Sequence, residues 1–480
     1  MKKSILFLLC SVLICCLLIA CHPKNNEDPT ADLMYDIDVT LDGKTLRGKQ
    51  TVTFRNVLAD GLNEAVFHLY PNAYAENAEH KAYSGILPAY GGIEISAVTA
   101  CGETASLSYD DEKQYLSVAL PALSVGDRVS IDMEYAVTIP DCRLRFGMRD
   151  NTYLLSSFYP QLAVYENGAF RRDPFCAVGD PIYSETASYE LSFTCPSSLV
   201  VAASAKALSK TDEGELSTYV YKADNVRDFA LAASPDYNVL TARENDVDLF
   251  YFSVDTTRAE QNFAVVRSAF NRYTEAFGPS GLGSYSVVET PFEYSGMEFS
   301  GLVYVSSAAG EDTEETLLHE TAHEWWYNLI GSDPIKQSAL DEGLTTFTSA
   351  YYYLLAGDEN AFSQKIADMK KVYTQYEILQ KRRQTGIDLS ADNTIYDYTA
   401  YQYTMLSYYK SCLLFNNLYE LYGKDKTTAC LRSYAEEYAH KTASFDDFIA
   451  ACNKVLKTDV GGLVKGWLGD GTTVTTFGRA

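Results

Sequence analysis

From residue 32 to about 238 the chain alternates apolar and polar positions with a period of two. Tyr35-Asp36-Ile37-Asp38-Val39-Thr40-Leu41 alternates strictly, Asp42-Gly43 supplies a turn, and Gly48-Lys49-Gln50-Thr51-Val52-Thr53-Phe54 alternates again. Similar runs stand at 115–120, 130–137, 188–193 and 218–222, many of them separated by clusters rich in Asn, Asp and Gly. Period two with turn punctuation predicts half-buried strands, and many such strands in series predict an antiparallel β-sandwich. After about Val239 the period changes. A further strand is expected at 248–254, a helix over 259–277, strands at 285–290 and 301–305, and then mostly helix as far as Leu468. The pattern therefore predicts a multidomain α and β protein, with an N-terminal β-sandwich domain over 32–238 and a mixed α/β domain over 239–480.

Within the second domain stands His319-Glu320-Thr321-Ala322-His323. On a helix, residues i and i+4 share one face, so both imidazoles can reach one metal ion. A catalytic zinc takes three protein ligands and keeps a fourth position for water. Glu320, beside the first His, is placed to take a proton from that water and later give it to a leaving amine. Glu342 follows in Leu340-Asp341-Glu342-Gly343 and is the candidate third ligand. The acidic residues Glu311, Asp312, Glu314 and Glu315 suit a helix N-terminus. Gly331, Asp333 and Pro334 stop that helix, and a second helix is expected over 341–356, closed by Gly357. The ten-residue gap fits a helix hairpin that brings Glu342 to the two histidines. The chemistry implied is hydrolysis assisted by one Zn²⁺ per chain.

Composition and charge narrow the setting. The 480 residues suggest two or three domains, and 47% apolar with 21% charged residues are globular values. A formal charge of −25 makes nucleic acid a poor partner. Lys2-Lys3, an apolar run from Ile5 to Ala20 and then Cys21 have the pattern of a bacterial lipoprotein signal. The expectation is a signal peptide over 1–20, lipidation at Cys21, a polar tether over 21–31, and a protein held outside the cytoplasm on a bacterial membrane. Seven cysteines remain beyond the anchor: 101, 142, 176, 195, 412, 430 and 452. Their odd number excludes complete internal pairing; Cys142–Cys176 or Cys176–Cys195 stay open as pairs.

The residues around the metal motif resemble the zinc aminopeptidases of the gluzincin clan, which include aminopeptidase N and leukotriene hydrolase. That family carries His-Glu-x-x-His, eighteen residues, then Glu; here residues 324–341 are the eighteen. Glu324-Trp325-Trp326-Tyr327-Asn328 and Leu340-Asp341-Glu342-Gly343 resemble the surroundings of the family's ligands. Ser295-Gly296-Met297-Glu298-Phe299 resembles the family's Gly-x-Met-Glu-Asn motif, with Ser295 in place of Gly and Phe299 in place of Asn. The resemblance implies that Gly296, Met297 and Glu298 bind substrate, Glu298 by taking the free α-amine. Tyr408-Tyr409-Lys410-Ser411 resembles the family's Tyr-x-Lys-Gly, with Ser411 replacing Gly, and implies that Tyr408 stabilises the oxyanion.

Segments at 67–72, 225–230 and 466–468 extend the resemblance over nearly the whole mature chain, and no counterpart of the family's C-terminal helical domain is expected. The implied architecture for 239–480 is a thermolysin-like α/β catalytic domain, and the implied activity is removal of N-terminal residues from peptides. Two other readings stay open at this point. One is a zinc endopeptidase or other metallohydrolase, motivated by Ser295 and Phe299; the other is a non-catalytic peptide-binding lipoprotein.

Overall fold

The alternating segments fold as strands whose every second residue is buried. Met34–Asp42 and Thr45–Arg55 pair antiparallel and send Ile37, Val39, Leu46 and Val52 inward. Residues 33–83, 85–383 and 388–469 are described by this computed structural model. The expected signal peptide, Cys21 and the tether lie outside the described residues.

Eight strands form the largest sheet, in the order Ser209–Glu213, Leu216–Val226, Ala187–Pro196, Met34–Asp42, Thr45–Arg55, Arg128–Thr138, Gly92–Ala100 and Glu103–Thr104. Every neighbour in it is antiparallel except Met34–Asp42 with Ala187–Pro196, which run parallel. A parallel neighbour needs a long crossover, and the chain between 43 and 186 provides it. Two four-stranded sheets pack against this one. Val66, Phe67, Leu116 and Val118 from one, and Leu155, Ala203 and Leu231 from the other, share a single apolar core with it. Cys142, Cys176 and Cys195 are all free thiols, so neither pairing left open by the sequence forms. The Cys142 thiol lies 3.2 Å from the Phe146 carbonyl oxygen.

The second sheet has five strands, in the order Asn238–Glu244, Val247–Ser253, Ser284–Thr290, Leu302–Ser306 and Gly296–Phe299. Its middle pairs are parallel and its two edges are antiparallel hairpins. Helix Ala259–Phe277 supplies the crossover between the first parallel pair. Ser284–Thr290 and Leu302–Ser306 are buried almost throughout, as expected of strands covered on both faces. Val287 and Val303 face the helices, against Val266, Phe270, Leu317 and Trp325. Val288 and Tyr304 face the N-terminal domain, against Leu154, Ala230 and Ala232. The Tyr304 hydroxyl donates to the Leu231 carbonyl at 2.7 Å and accepts from the Leu155 amide at 3.1 Å. The N-terminal domain is thus the second wall of the sheet that carries the site.

Arg171, with 7% of its side chain exposed, fastens the domains from another direction. It pairs with Asp173 at 2.6 Å and Asp333 across the interface, over the face of Tyr183. Among the described residues no helix is long and apolar enough to cross a membrane.

Candidate metal centre

The motif helix runs Thr313–His323 with Glu314 and Glu315 in its first turn, and the partner helix runs Ser338–Leu355. The chain does not continue as α-helix to Gly331 as the stop residues suggested. From Glu324 to Leu329 it widens into a π-helix. Within it both indoles are buried and bonded: Trp325 Nε1 donates to the Gly278 carbonyl and Trp326 Nε1 to Thr348 Oγ1, each at 2.9 Å. A second π-helical stretch, Thr404–Lys410, carries Tyr408. Such segments recur at functional sites because they turn side chains away from the regular helical face.

His319, His323 and Glu342 converge. His319 Nε2 lies 3.1 Å from His323 Nε2 and 3.3 Å from Glu342 Oε2, and His323 Nε2 lies 3.5 Å from that oxygen. Four ligands about 2.0–2.1 Å from a tetrahedral zinc stand about 3.3–3.4 Å from one another, so these spacings match three corners of such a site. Two imidazoles and a carboxylate are also the donor types zinc favours. His323 is buried, and His319 keeps 15% of its side chain exposed, so solvent approaches from the His319 side.

The orienting partners of these ligands had no signal of their own in the sequence. Asp341 Oδ1 stands 3.1 Å from His323 Nδ1, and Thr345 Oγ1 stands 3.3 Å from the same nitrogen. A carboxylate there fixes the ring's tautomer and aims Nε2 at the metal position. Asp341 was visible only as the residue before Glu342; Thr345 is one helical turn beyond it. Glu342 Oε1 accepts from the Tyr408 hydroxyl at 2.6 Å and from the Tyr403 hydroxyl at 3.3 Å. Tyr403 was one tyrosine among several in its stretch, with nothing in its neighbours to single it out.

Glu298 lies on the edge strand Gly296–Phe299, buried, with Oε2 3.9 Å from His323 Nε2. Glu298, Glu320 and His323 form a second convergent group, their ligand atoms within 4.8 Å of one another. Glu298 Oε1 and Glu320 Oε2 are buried with no hydrogen-bond partner among the described residues. Gly296 makes room for Glu320: a Cβ there would sit 2.2 Å from Glu320 Oε1. Met297 is buried and, with Phe299, enters the apolar layer between the domains. Phe299 stands edge-on to Tyr304 at 4.9 Å, so the residue replacing the motif's Asn serves packing. Ser411 faces Gly343, where a Cβ would lie 2.2 Å from Ser411 Cβ; this glycine gives the room that the motif's own glycine would otherwise provide. From the N-terminal domain, Asp180 approaches the site, held by Arg145 at 2.5 Å, and its charge reaches Glu298, Asp341 and Tyr403.

The electrostatics follow from crowding four carboxylates out of water. Burial pushes Glu298 well above the usual carboxylate range, with Glu342 and Glu320 adding to it against His323. Burial likewise raises Glu320 to about 8 and Asp341 to about 6, with His323 opposing both shifts. Glu342 is also buried, but the hydrogen bonds it shares with His319 and His323 hold it well below the usual range. Burial lowers His319, whereas Glu298 and Asp341 outweigh burial at His323 and raise it. Burial, with Glu342 next, keeps the Tyr408 phenol far above its ordinary value, so it is a donor.

A two-histidine, one-glutamate centre on a helix hairpin beneath a five-stranded sheet defines the gluzincin class of metallopeptidase domain. Residues 282–467 match the Peptidase family M1 domain. The chain is similar to human "Aminopeptidase B", 25% identical over 212 residues, which is 41% of this chain and 31% of that protein. It is also similar to rice (Oryza sativa subsp. japonica) "Aminopeptidase M1-D", 24% identical over 308 residues, covering 58% of this chain and 34% of that one. The match thus spans about a third of the length of these curated relatives. In fold it is similar to an M1 zinc metallopeptidase from Deinococcus radiodurans, with a TM-score of 0.67 at 18% identity, covering 92% of this chain and 94% of that one. A variant of that enzyme bound to a Tyr-Ser-Ala substrate has a TM-score of 0.67 at 17% identity, covering 93% and 96%.

Proposed function

We propose that the protein is a zinc aminopeptidase that removes N-terminal residues from peptides. His319, His323 and Glu342 hold the zinc. When bound, zinc supplies Lewis acidity, polarising a carbonyl oxygen and making water acidic enough to attack near neutral pH. Glu320 takes the proton of the attacking water on its unpartnered Oε2 and delivers it to the leaving amine. A cation ligated beside Glu320 pulls that raised carboxyl back toward its ionised form, which a base requires. Tyr408, protonated and next to Glu342, donates to the oxygen on which charge develops. Gly296 leaves the space in which Glu320 stands beside Glu298, and Met297, packed on the opposite face of the strand, holds that strand against the N-terminal domain.

The observation that carries the exopeptidase reading is Glu298. Among the described residues its Oε1 is buried without a donor, and an ionised carboxylate there needs a cation. A substrate ammonium satisfies it and fixes the first peptide bond at the metal. The relatives' names and the peptide-bound neighbour agree with this reading. Rates on matched peptides with free and N-acetylated amines test it. Strong preference for the free amine is expected, and equal cleavage of both would leave an endopeptidase or another metallohydrolase.

We also propose a division into an N-terminal domain over 32–238 and a peptidase domain over 239–480; the strand Asn238–Glu244, first of the second sheet, supports a boundary to within a residue of that point. We also propose a lipid anchor at Cys21 that holds the enzyme outside the cytoplasm, on the basis of the Lys2-Lys3, apolar run and Ala20-Cys21 pattern. Exchange of Cys21 for Ser should release the protein from membranes, and retention of that variant there would refute the anchor.

A further inference from the structure

We propose that Tyr403 is a positioning residue that keeps Glu342 oriented while Tyr408 serves the reaction. The proposal rests on the zinc reading above and extends it to a residue outside the motifs. The two oxygens of Glu342 have separate duties. Oε2 faces both imidazole nitrogens, and Oε1 faces two phenols, Tyr408 at 2.6 Å and Tyr403 at 3.3 Å. Tyr408 cannot donate its single proton to Oε1 and to a developing oxyanion at once. When it turns to the substrate, Oε1 is left buried and short of a donor, which is costly in a low-dielectric site, and the carboxylate is freer to rotate away from the metal position. Tyr403 removes that conflict because it is already aimed at the same oxygen.

The two phenols differ in the way this division of labour requires. Tyr408 is partly exposed and sits in the widened Thr404–Lys410 segment. Tyr403 is buried and closes the short helix Ala400–Tyr403, whose start is fixed by a Thr399–Gln402 capping box. Its ring stands edge-on to Tyr408 at 5.6 Å and lies near Tyr398 at 6.4 Å. Against its other side lies Gly179 of the N-terminal domain, with φ +71°, where a Cβ would come within 2.8 Å of the ring. Tyr403 is therefore held rigidly, and Tyr408 has room to move.

The test is a double-mutant cycle on zinc affinity, read by competition with a chelator of known affinity, using the full chain. Y403F should weaken zinc binding by several-fold to about tenfold, and Y403F/Y408F by more than the product of the two single losses, because each phenol covers for the other. Y398F is the packing control: it removes the hydroxyl of a neighbouring tyrosine that is buried to a similar degree as a residue and bonded to the Ser390 carbonyl, and should leave zinc affinity unchanged. The proposal is overturned if Y403F binds zinc as wild type does and the double variant is no weaker than Y408F. It is equally overturned if Y398F loses as much as Y403F, since the effect would then be packing. A wild-type chain that binds no zinc removes the metal reading and this proposal with it. Zinc binding with equal cleavage of free and acetylated peptides removes only the aminopeptidase reading and leaves the cycle decisive for Tyr403.

Discussion

Exchange of Glu298 for Gln separates substrate recognition from stability, because the two should move in opposite directions. With a free-amine peptide bound, the variant leaves an ammonium facing a neutral amide in a buried site. Breaking a buried ion pair by removing one partner costs roughly 3–5 kcal/mol. The substrate has an escape, since an α-amine with a pKa of about 7.7–8.0 can bind neutral, which brings the loss toward the lower end. We therefore expect about 2–4 kcal/mol at pH 7, roughly a 30- to 1000-fold fall in kcat/KM. The loss should shrink as pH rises past 8 and the amine deprotonates by itself. N-acetylated peptides should be cleaved no worse by the variant than by wild type.

Without substrate the sign reverses. Glu298 carries a buried oxygen without a donor, and burial holds its folded-state pKa far above the usual value. An acid with a raised folded pKa is protonated in the folded chain while the unfolded chain ionises, so wild type loses stability as pH climbs above about 4.5. Gln escapes that loss, so the variant should melt higher by about 1–3 °C near neutral pH, for roughly 1–3 kcal/mol in a chain of this size. The gain should be largest after chelation, because a bound cation favours the ionised form, and should vanish below pH 4. A variant that loses equally on free and acetylated peptides, or that melts lower than wild type at neutral pH, would refute the assignment of Glu298 to the amine.

Three further outcomes are expected. Exchange of Glu320 for Gln should abolish hydrolysis while zinc content, measured by atomic absorption, stays at wild-type level; retained turnover would remove Glu320 as the base. Exchange of Gly296 for Ala should lower kcat by about a hundredfold or more, because the new methyl claims the space of Glu320 Oε1, and steady-state kinetics with a zinc assay would show the loss of rate without loss of metal. Asp228, buried at the domain junction and bonded by Tyr327 at 2.5 Å and the Ser300 amide at 2.9 Å, is raised by burial to about 6. Its ionisation should draw roughly 3 kcal/mol from stability as pH rises from about 4 to 6, and denaturant titrations of the Asn variant across that window should lack this slope.

Much of the site could be read from the sequence because its residues recur at helical spacing or in short runs. His319, Glu320 and His323 lie on one helix, and Glu342 lies one hairpin away, so local periodicity suffices to bring them together. Glu298 was legible only through its motif, since nothing local reveals that an edge strand passes beside the histidine helix. Tyr403 and Asp180 were not legible at all. Their roles arise from contacts that join the N-terminal domain, the Ala400–Tyr403 turn and the Ser338–Leu355 helix, and no periodicity encodes such meetings. The same holds for the fold. Strands with alternating burial were visible one by one. The parallel pairing of Met34–Asp42 with Ala187–Pro196 was not, because side-chain alternation is identical in parallel and antiparallel neighbours.

The N-terminal domain is required by the site as well as attached to it. Ser284–Thr290 and Leu302–Ser306 are buried on both faces, and Leu154, Ala230 and Ala232 of the N-terminal domain pack on one of those faces. Among the described residues, strand Gly296–Phe299, which carries Glu298, pairs with Leu302–Ser306 alone, so its position depends on that same cover. Beneath it the chain gathers Glu298, Glu320, Asp341 and Glu342, four buried carboxylates, around two imidazoles. A divalent cation and one ammonium offset three of those four charges, so the arrangement is best satisfied when metal and substrate are both present. Until then burial holds Glu298 and Glu320 in their protonated forms, so the site is not asked to carry all four charges at once.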